Sequence, residues 1–317
     1  MTLPALSGAL AAEQAAENEG AAEGMKAGGV REPSKGNKWG ETRKTLARKK
    51  TPRWLEAARL RQGAPPPAGR ADWLARALGR AGVMPRVEAE RAIRDGRVEV
   101  GGRVEREPFA PVHPEVEVRV DGQVRSLDAP LLVLMFHKPA GVIVAGTDPE
   151  GVGTVFDRLR AVLPAELQGF EWYAIGRLDR DTTGLLLFTN DEQVVQHGTS
   201  PETHLPKRYV AEVAGRPSEE ALRRLREGLV LDDGPTRPAG ARLLGPERVE
   251  LVLTEGRHHQ VKRMLAAVGH PVKALHREAV GSVALDVPLG AWRQLSVPEV
   301  SEGLGFSKDS TPGGNGR

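Results

Sequence analysis

Apolar and polar positions along the chain change period several times, and each change marks an element. In ADWLARALGRAG, Leu74 and Leu78 stand four residues apart, which predicts a helix capped by Asp72 and stopped at Gly82. RVEAERAIRDG predicts a second helix, with Val87 and Ile93 turned inward and Gly96 just past its end. The period then drops to two: Val98, Val100 and Val104 alternate around Gly101-Gly102, a hairpin signal. The unbroken apolar run from Leu131 to Phe136 predicts a strand that stops at Lys138-Pro139, because proline cannot donate to a ladder, and turns at Gly141. A polar turn from Gly176 to Gly184 precedes the apolar strand Leu185–Phe188 and a second turn, Thr189-Asn190-Asp191. Further on, KRYVAEV alternates, and VELVLTEGRHHQVKRMLAAVGHPV reads as strand, turn, helix and strand. In that helix Val261, Met264, Leu265 and Val268 form the apolar face and Gly269 ends it.

These elements predict an α+β protein. A helix–helix–hairpin module over 70–125 comes first, then a domain over 130–302 on a mostly antiparallel mixed sheet with flanking helices. Residues 303–317, rich in Gly and Ser, are expected to be a mobile tail. Composition adds a disordered extension. Of 317 residues 39% are hydrophobic, low for a globular chain, and 37 Gly with 24 Pro point to unstructured segments, placed over 1–69. Zero cysteines exclude disulfides, thiolate metal sites and a cysteine nucleophile. No apolar run approaches the roughly 20 residues of a membrane helix, and the first residues lack the positive flank of a signal peptide. The expectation is a soluble cytoplasmic protein.

Net charge is only +3, but it is unevenly laid out. Residues 1–25 carry four Glu and no cation, 26–61 carry a local +9, and 70–106 add +3, leaving about −5 on 107–317. The run KTLARKKTPRW is either a solvated tail or an arm that neutralises phosphates and loosens with salt.

Candidate chemistry concentrates in the turn GRLDRDTTG. It sets Asp179 on a tight loop among Arg177 and Arg180, and neighbouring positive charge favours the ionised carboxylate that a nucleophile requires. Two other readings stand beside this one. Asp179 and Asp181 can simply brace a loop. Asp-x-Asp-x-Thr also occurs in magnesium-dependent aspartyl-phosphate phosphohydrolases, but there the motif follows a buried strand, whereas here the apolar run comes after it. His258 and His259, adjacent on a predicted helix, point apart and make a poor metal pair.

Two resemblances extend this. LARALGRAGVMPRVEAERAIRDGRVEVGGRV resembles the small RNA-binding module known from ribosomal protein S-four, with Met84-Pro85-Arg86 and Gly101-Gly102 departing from its usual Ser-Arg and Asn-Gly. Lys138-Pro139-x-Gly141, GRLDRDTTGLLLFTND, KRYVAEV and EGRHHQVKRMLAAVGHPV, in that order, resemble pseudouridine synthases of the RsuA/RluB/RluE/RluF branch across about 70–302. The ending LHREAVGSVALDVPLGAWRQLS and SPETHLPKRY look most like the RsuA type, which modifies small-subunit rRNA; a large-subunit enzyme and a non-catalytic ribosome-assembly factor are the alternatives.

The resemblance implies a reaction that detaches uracil from C1′, turns it and rejoins it through C5, with no cofactor and no metal. Asp179 is then the essential carboxylate, attacking C1′ or assisting loss of the C2′ proton through a glycal. Tyr209 matches the family's tyrosine, packing against the target base or relaying a proton. Lys262 falls where the family keeps a cation beside the aspartate. Arg177, Lys138, Arg76, Arg86, Arg94, Arg97, His259 and Arg263 are the expected RNA contacts, in a monomer whose partner is ribosomal RNA and not a membrane. The cleft is expected to cross the sheet, with Asp179 on its floor.

Overall fold

The computed structural model describes residues 71–307, apart from Thr147, Pro149 and Glu150. The acidic and basic N-terminal stretches, the proline-rich segment and most of the expected tail therefore lie outside the described residues.

The first module runs β1 (Asp72–Trp73), α1 (Leu74–Arg80), α2 (Arg86–Arg94), β2 (Val98–Val100), β3 (Arg103–Glu105), β4 (Pro111–Val112), β5 (Val118–Val120) and β6 (Gln123–Arg125). Its four-stranded sheet has the order β3-β2-β5-β6, all antiparallel, while β1 pairs with β4. Small residues let the two helices approach: Ala75, Ala77, Ala89 and Ala92 are all buried beside Leu74, Leu78 and Ile93. Two local expectations fail. Val87 is 73% exposed; six residues from Ile93 on a helix is about 120° round the axis, off the buried stripe. Asp72 does not cap α1, whose N-cap is Trp73. Its carboxylate instead accepts from the Trp73 N–H and from Arg76 Nε.

The second domain follows as β7 (Val133–Lys138), α3 (Val155–Val162), α4 (Ala165–Gln168), β8 (Tyr173–Ile175), β9 (Thr183–Thr189), α5 (Glu192–Thr199), β10 (Lys207–Val213), α6 (Glu219–Glu227), β11 (Val230–Leu231), β12 (Gly234–Pro235), β13 (Gly240–Gly245), β14 (Arg248–Leu253), α7 (Gln260–Ala267), β15 (Val272–Val280), β16 (Val283–Ala284) and β17 (Trp292–Gln294). Nine of these strands form one sheet along the path β13-β14-β10-β15-β9-β7-β17, with β8 on β9 and β16 on β15. Every pairing in it is antiparallel except β9 with β15. This is the mostly antiparallel mixed sheet with flanking helices that the sequence predicts.

Alternation explains the apolar runs. Met135, Leu185 and Leu187 face one core with Val194, while Leu134, Phe136, Leu186 and Phe188 face another with Val155, Leu159 and Trp172. Strands buried on both faces read as continuous hydrophobic sequence. In the other half of the sheet, Ala211, Val213, Val249 and Leu251 pack under Leu222 and Leu225 of α6 and Met264 and Leu265 of α7. The core also reaches past 302: a short π-helical turn at Glu299–Gly303 carries Leu304 (2% exposed) and Phe306 (8%) into it. Leu304 and Phe306, expected to belong to the mobile tail, are therefore part of the core.

A hydrogen-bonded seam joins the two parts. Asn190 Oδ1 accepts from the Leu132 N–H at 2.9 Å, and its Nδ2 donates to Pro130 O at 2.9 Å and to Arg80 O at 3.0 Å. Glu171 donates its N–H to Gly79 O at 2.9 Å and accepts from the Arg86 N–H at 2.9 Å. Arg76 reaches Glu192 at 2.9 Å. At Gly82, φ is +73° and a Cβ would lie 2.6 Å from the Phe170 ring, so the turn between α1 and α2 admits glycine alone without strain.

Candidate active site

The turn carrying Asp179 links β8 to β9 and is shaped from beneath. Gly176, at φ +76°, turns the chain out of β8. The Thr182 N–H donates to Asp179 O at 3.1 Å, and the Gly141 N–H donates to Arg180 O at 2.8 Å. Lys138, at the end of β7, is completely buried. Its Nζ donates to the carbonyls of Pro139 (2.9 Å), Asp179 (3.1 Å) and Thr182 (2.9 Å) and approaches that of Arg180 at 3.4 Å. Where β9 leaves the turn, a Cβ on Gly184 would meet Arg277 O at 2.3 Å; the parallel pairing with β15 needs a glycine there. Arg277, 2% exposed, donates Nε to Leu185 O at 2.7 Å and Nη1 to Arg177 O at 3.5 Å, one bond on each side of the turn.

Above the turn lies an open cleft of about 420 Å³, lined by Arg177, Asp179, Thr182, Tyr209 and Lys262 among others. Tyr209 comes from β10, where it stands opposite Arg277 of β15 and Leu251 of β14. Lys262 comes from the first turn of α7 and bridges two carboxylates, reaching Asp179 at 3.0 Å and Asp181 at 2.6 Å. Burial opposes its charge, but the hydrogen bonds to Asp181 and Asp179 prevail and raise its pKa. The same hydrogen bond holds Asp181 below the usual carboxylate range. Burial pushes the Lys138 ammonium down to about 8, against the pull of Asp181 and Asp179. The arrangement can present a carboxylate, held by a cation, to a nucleotide drawn into the cleft.

Asp179, Tyr209 and Lys262 thus meet in one cleft, with Arg177 exposed beside them. His259 also reaches the floor, 3.5 Å from Asp179. It lies ahead of α7 in a left-handed conformation, stacked on His258 with ring centroids 3.7 Å apart, so the two histidines do not diverge on a helix as expected. Lys138 does not fit an RNA contact, since its ammonium is sealed beneath the turn. Arg76 is engaged by Asp72 and Glu192, and Arg86 starts α2 at the seam. Arg263 is held bidentately by Asp233. Arg94 and Arg97 are exposed, with Glu90 and Asp121 as partners.

The sequence reading names Asp181 only as a loop brace and does not name Arg277. Asp181 shares Lys262, and Arg277 clamps the turn. A signal for Arg277 existed: it falls in phase with Leu275 and Ala279, the buried side of β15. An arginine in a core phase marks a built site.

The RNA pseudouridylate synthase family matches residues 132–267. Ribosomal large subunit pseudouridine synthase B of Bacillus subtilis (strain 168) is 37% identical over 234 residues, 72% of this chain and 93% of that protein. The protein of the same name in Escherichia coli (strain K12) is 35% identical over 239 residues, covering 72% and 80%. A crystal structure of a pseudouridylate synthase superposes with a TM-score of 0.52 at 31% identity, covering 73% of this chain and 98% of that one. These relatives are named for the large ribosomal subunit, so they do not support the small-subunit assignment drawn from the C-terminal motifs. This chain belongs to the RNA pseudouridylate synthase family, and it is a pseudouridine synthase.

Proposed function

We propose that the chain isomerises a uridine of large-subunit ribosomal RNA to pseudouridine, as a soluble cytoplasmic monomer, with Asp179 as the reacting carboxylate. The observation that carries the residue assignment is the Asp179–Lys262 contact of 3.0 Å in the lining of a cleft that Tyr209 also lines. The large-subunit substrate rests on what the relatives are named.

Isomerisation breaks the N1–C1′ bond, turns the base and forms C5–C1′, while C5 gives up a proton and N1 gains one. The atoms balance without a redox partner. Asp179 either attacks C1′ or assists loss of the C2′ proton. Lys262 orients it, and fixed charge in a partly desolvated cleft needs no rearrangement during reaction. Tyr209 packs against the extruded base, and Arg177 meets the phosphate backbone beside it. In the first module, read as an S-four-type RNA-binding unit, Arg94 and Arg97 are exposed cations that would exchange Glu90 and Asp121 for phosphate.

Pseudouridine mapping in both ribosomal RNAs of cells lacking the gene tests this, with wild type or Asp179→Asn added back. One large-subunit pseudouridine should vanish and return only with wild type. In purified form Asp179→Asn should lose at least about 10⁴-fold in turnover while still folding. Substantial turnover by that variant defeats the carboxylate assignment, and loss of a small-subunit site instead redirects the substrate.

A further inference from the structure

Thr182 is the residue of the Asp179 turn whose chemistry is still unspent. It is 1% exposed, yet it lines the cleft together with Asp179, Tyr209 and Lys262. Both its main-chain groups are engaged: the N–H with Asp179 O at 3.1 Å, the carbonyl with Lys138 Nζ at 2.9 Å. Its Oγ1 has no partner among the described residues. The neighbouring Thr183 shows the contrast, since its hydroxyl sits 2.8 Å from His276 Nδ1. A valine would fill the same space at position 182 without hiding a hydroxyl from water, so the hydroxyl is a cost unless something entering the cleft completes it.

We propose that the Thr182 hydroxyl binds the ribose of the target uridine, through its 2′-hydroxyl. This rests on Asp179 acting at C1′. The turn that closes at Thr182 is the turn that carries Asp179, so a hydroxyl fixed there lies beside the sugar once C1′ is presented to the carboxylate. Three groups surround C1′: the ring oxygen, the base and C2′ with its hydroxyl. The base must leave and turn during the reaction, so a tether to it would have to break. The ring oxygen only accepts. The 2′-hydroxyl both donates and accepts, matching a threonine hydroxyl in either direction, and it stays in place while the base turns. It is also the group that tells RNA from DNA.

The test is a cycle of two enzymes and two substrates. The substrates are an RNA fragment spanning the mapped uridine and the same fragment with a single 2′-deoxyuridine there. Any intrinsic effect of the missing hydroxyl on the chemistry is common to both enzymes and cancels in the cycle. Thr182→Val should lower kcat/KM on the all-ribo fragment by roughly tenfold and reduce the preference for ribose by the same factor. Thr182→Ser, which keeps the hydroxyl, should retain that preference. Should the valine variant fail to fold, Thr182→Ala carries the same comparison. An unchanged ribose preference in Thr182→Val or Thr182→Ala overturns this inference and leaves the function of Asp179 untouched. Absence of turnover by wild type on the all-ribo fragment defeats the parent reading, and this one with it.

Discussion

One ammonium serves two carboxylates, Asp179 in the cleft and the exposed Asp181 beside it, which makes the site a small charge network and not a lone aspartate. Lys262 reaches Asp179 and Asp181, and the buried Lys138 and Arg277 stiffen the turn from below through its carbonyls. Tyr209 is the neutral member. It lines the cleft from a strand paired on both sides, which suits a ring proposed to stack on the target base. Tyr209→Phe should therefore retain more turnover than Tyr209→Leu, by about tenfold, in single-turnover assays. Equal losses would shift the weight from ring to hydroxyl. At this scale the sequence exposes the residues that line the cleft well, since an aspartate in a polar turn and a cation opening an amphipathic helix stand out. It hides supporting ones. Lys138 and Arg277 look like RNA contacts or plain strand cations until the sheet shows that each shares a phase with Phe136 or Leu275.

The elements that bound the site are set by period and turn chemistry, so their order was readable; their ends were not. Nothing local in GRHHQVK says that His259 adopts a left-handed conformation and that α7 starts only at Gln260. The end of the domain is another case, because its closure depends on a clasp between distant carboxylates. Arg293 of β17 bonds both Asp286 (2.7 Å) and Glu299 (2.6 and 3.0 Å), and Glu299 also accepts from Ser296. The Arg293 guanidinium holds the Glu299 carboxyl down to about 2. A carboxylate bound more tightly in the fold adds stability above its unfolded value near 4.5, and loses it as pH falls toward about 2. Glu299→Gln should cost about 1–2 kcal/mol at pH 7, after screening, and cost progressively less below pH ~4.5. Chemical denaturation of both proteins at stepped pH measures it; a pH-independent difference would assign Glu299 a packing role alone.

For the whole molecule, the seam ties the first module to the catalytic sheet through main chain more than through side-chain charge. The sequence suggested two units with a short connection between them, and composition around Pro130 gave no hint that the connection is bonded to both. Gly82→Ala tests the seam, since a Cβ there is caught between a φ of +73° and the Phe170 ring. It should destabilise by about 2–4 kcal/mol, read as a lower Tm with isomerisation of a short RNA fragment retained. An unchanged Tm would mean that the Phe170 contact is dispensable.

Asn190 gives the seam a further consequence. Its single amide holds Leu132, Pro130 and Arg80 at once, with Thr189 Oγ1 on Leu132 O beside it, directly after the strand that leaves the Asp179 turn. A protease needs several residues of free, extended backbone, and these bonds take Pro130 and Leu132 out of reach while β9 stays paired. Amide exchange at Leu132 should therefore keep pace with exchange in β9, and faster exchange at Leu132 alone would mean that the Asn190 bonds open independently of the strand. The join that looks like a linker is thus fastened at its far end to the strand that leaves the Asp179 turn.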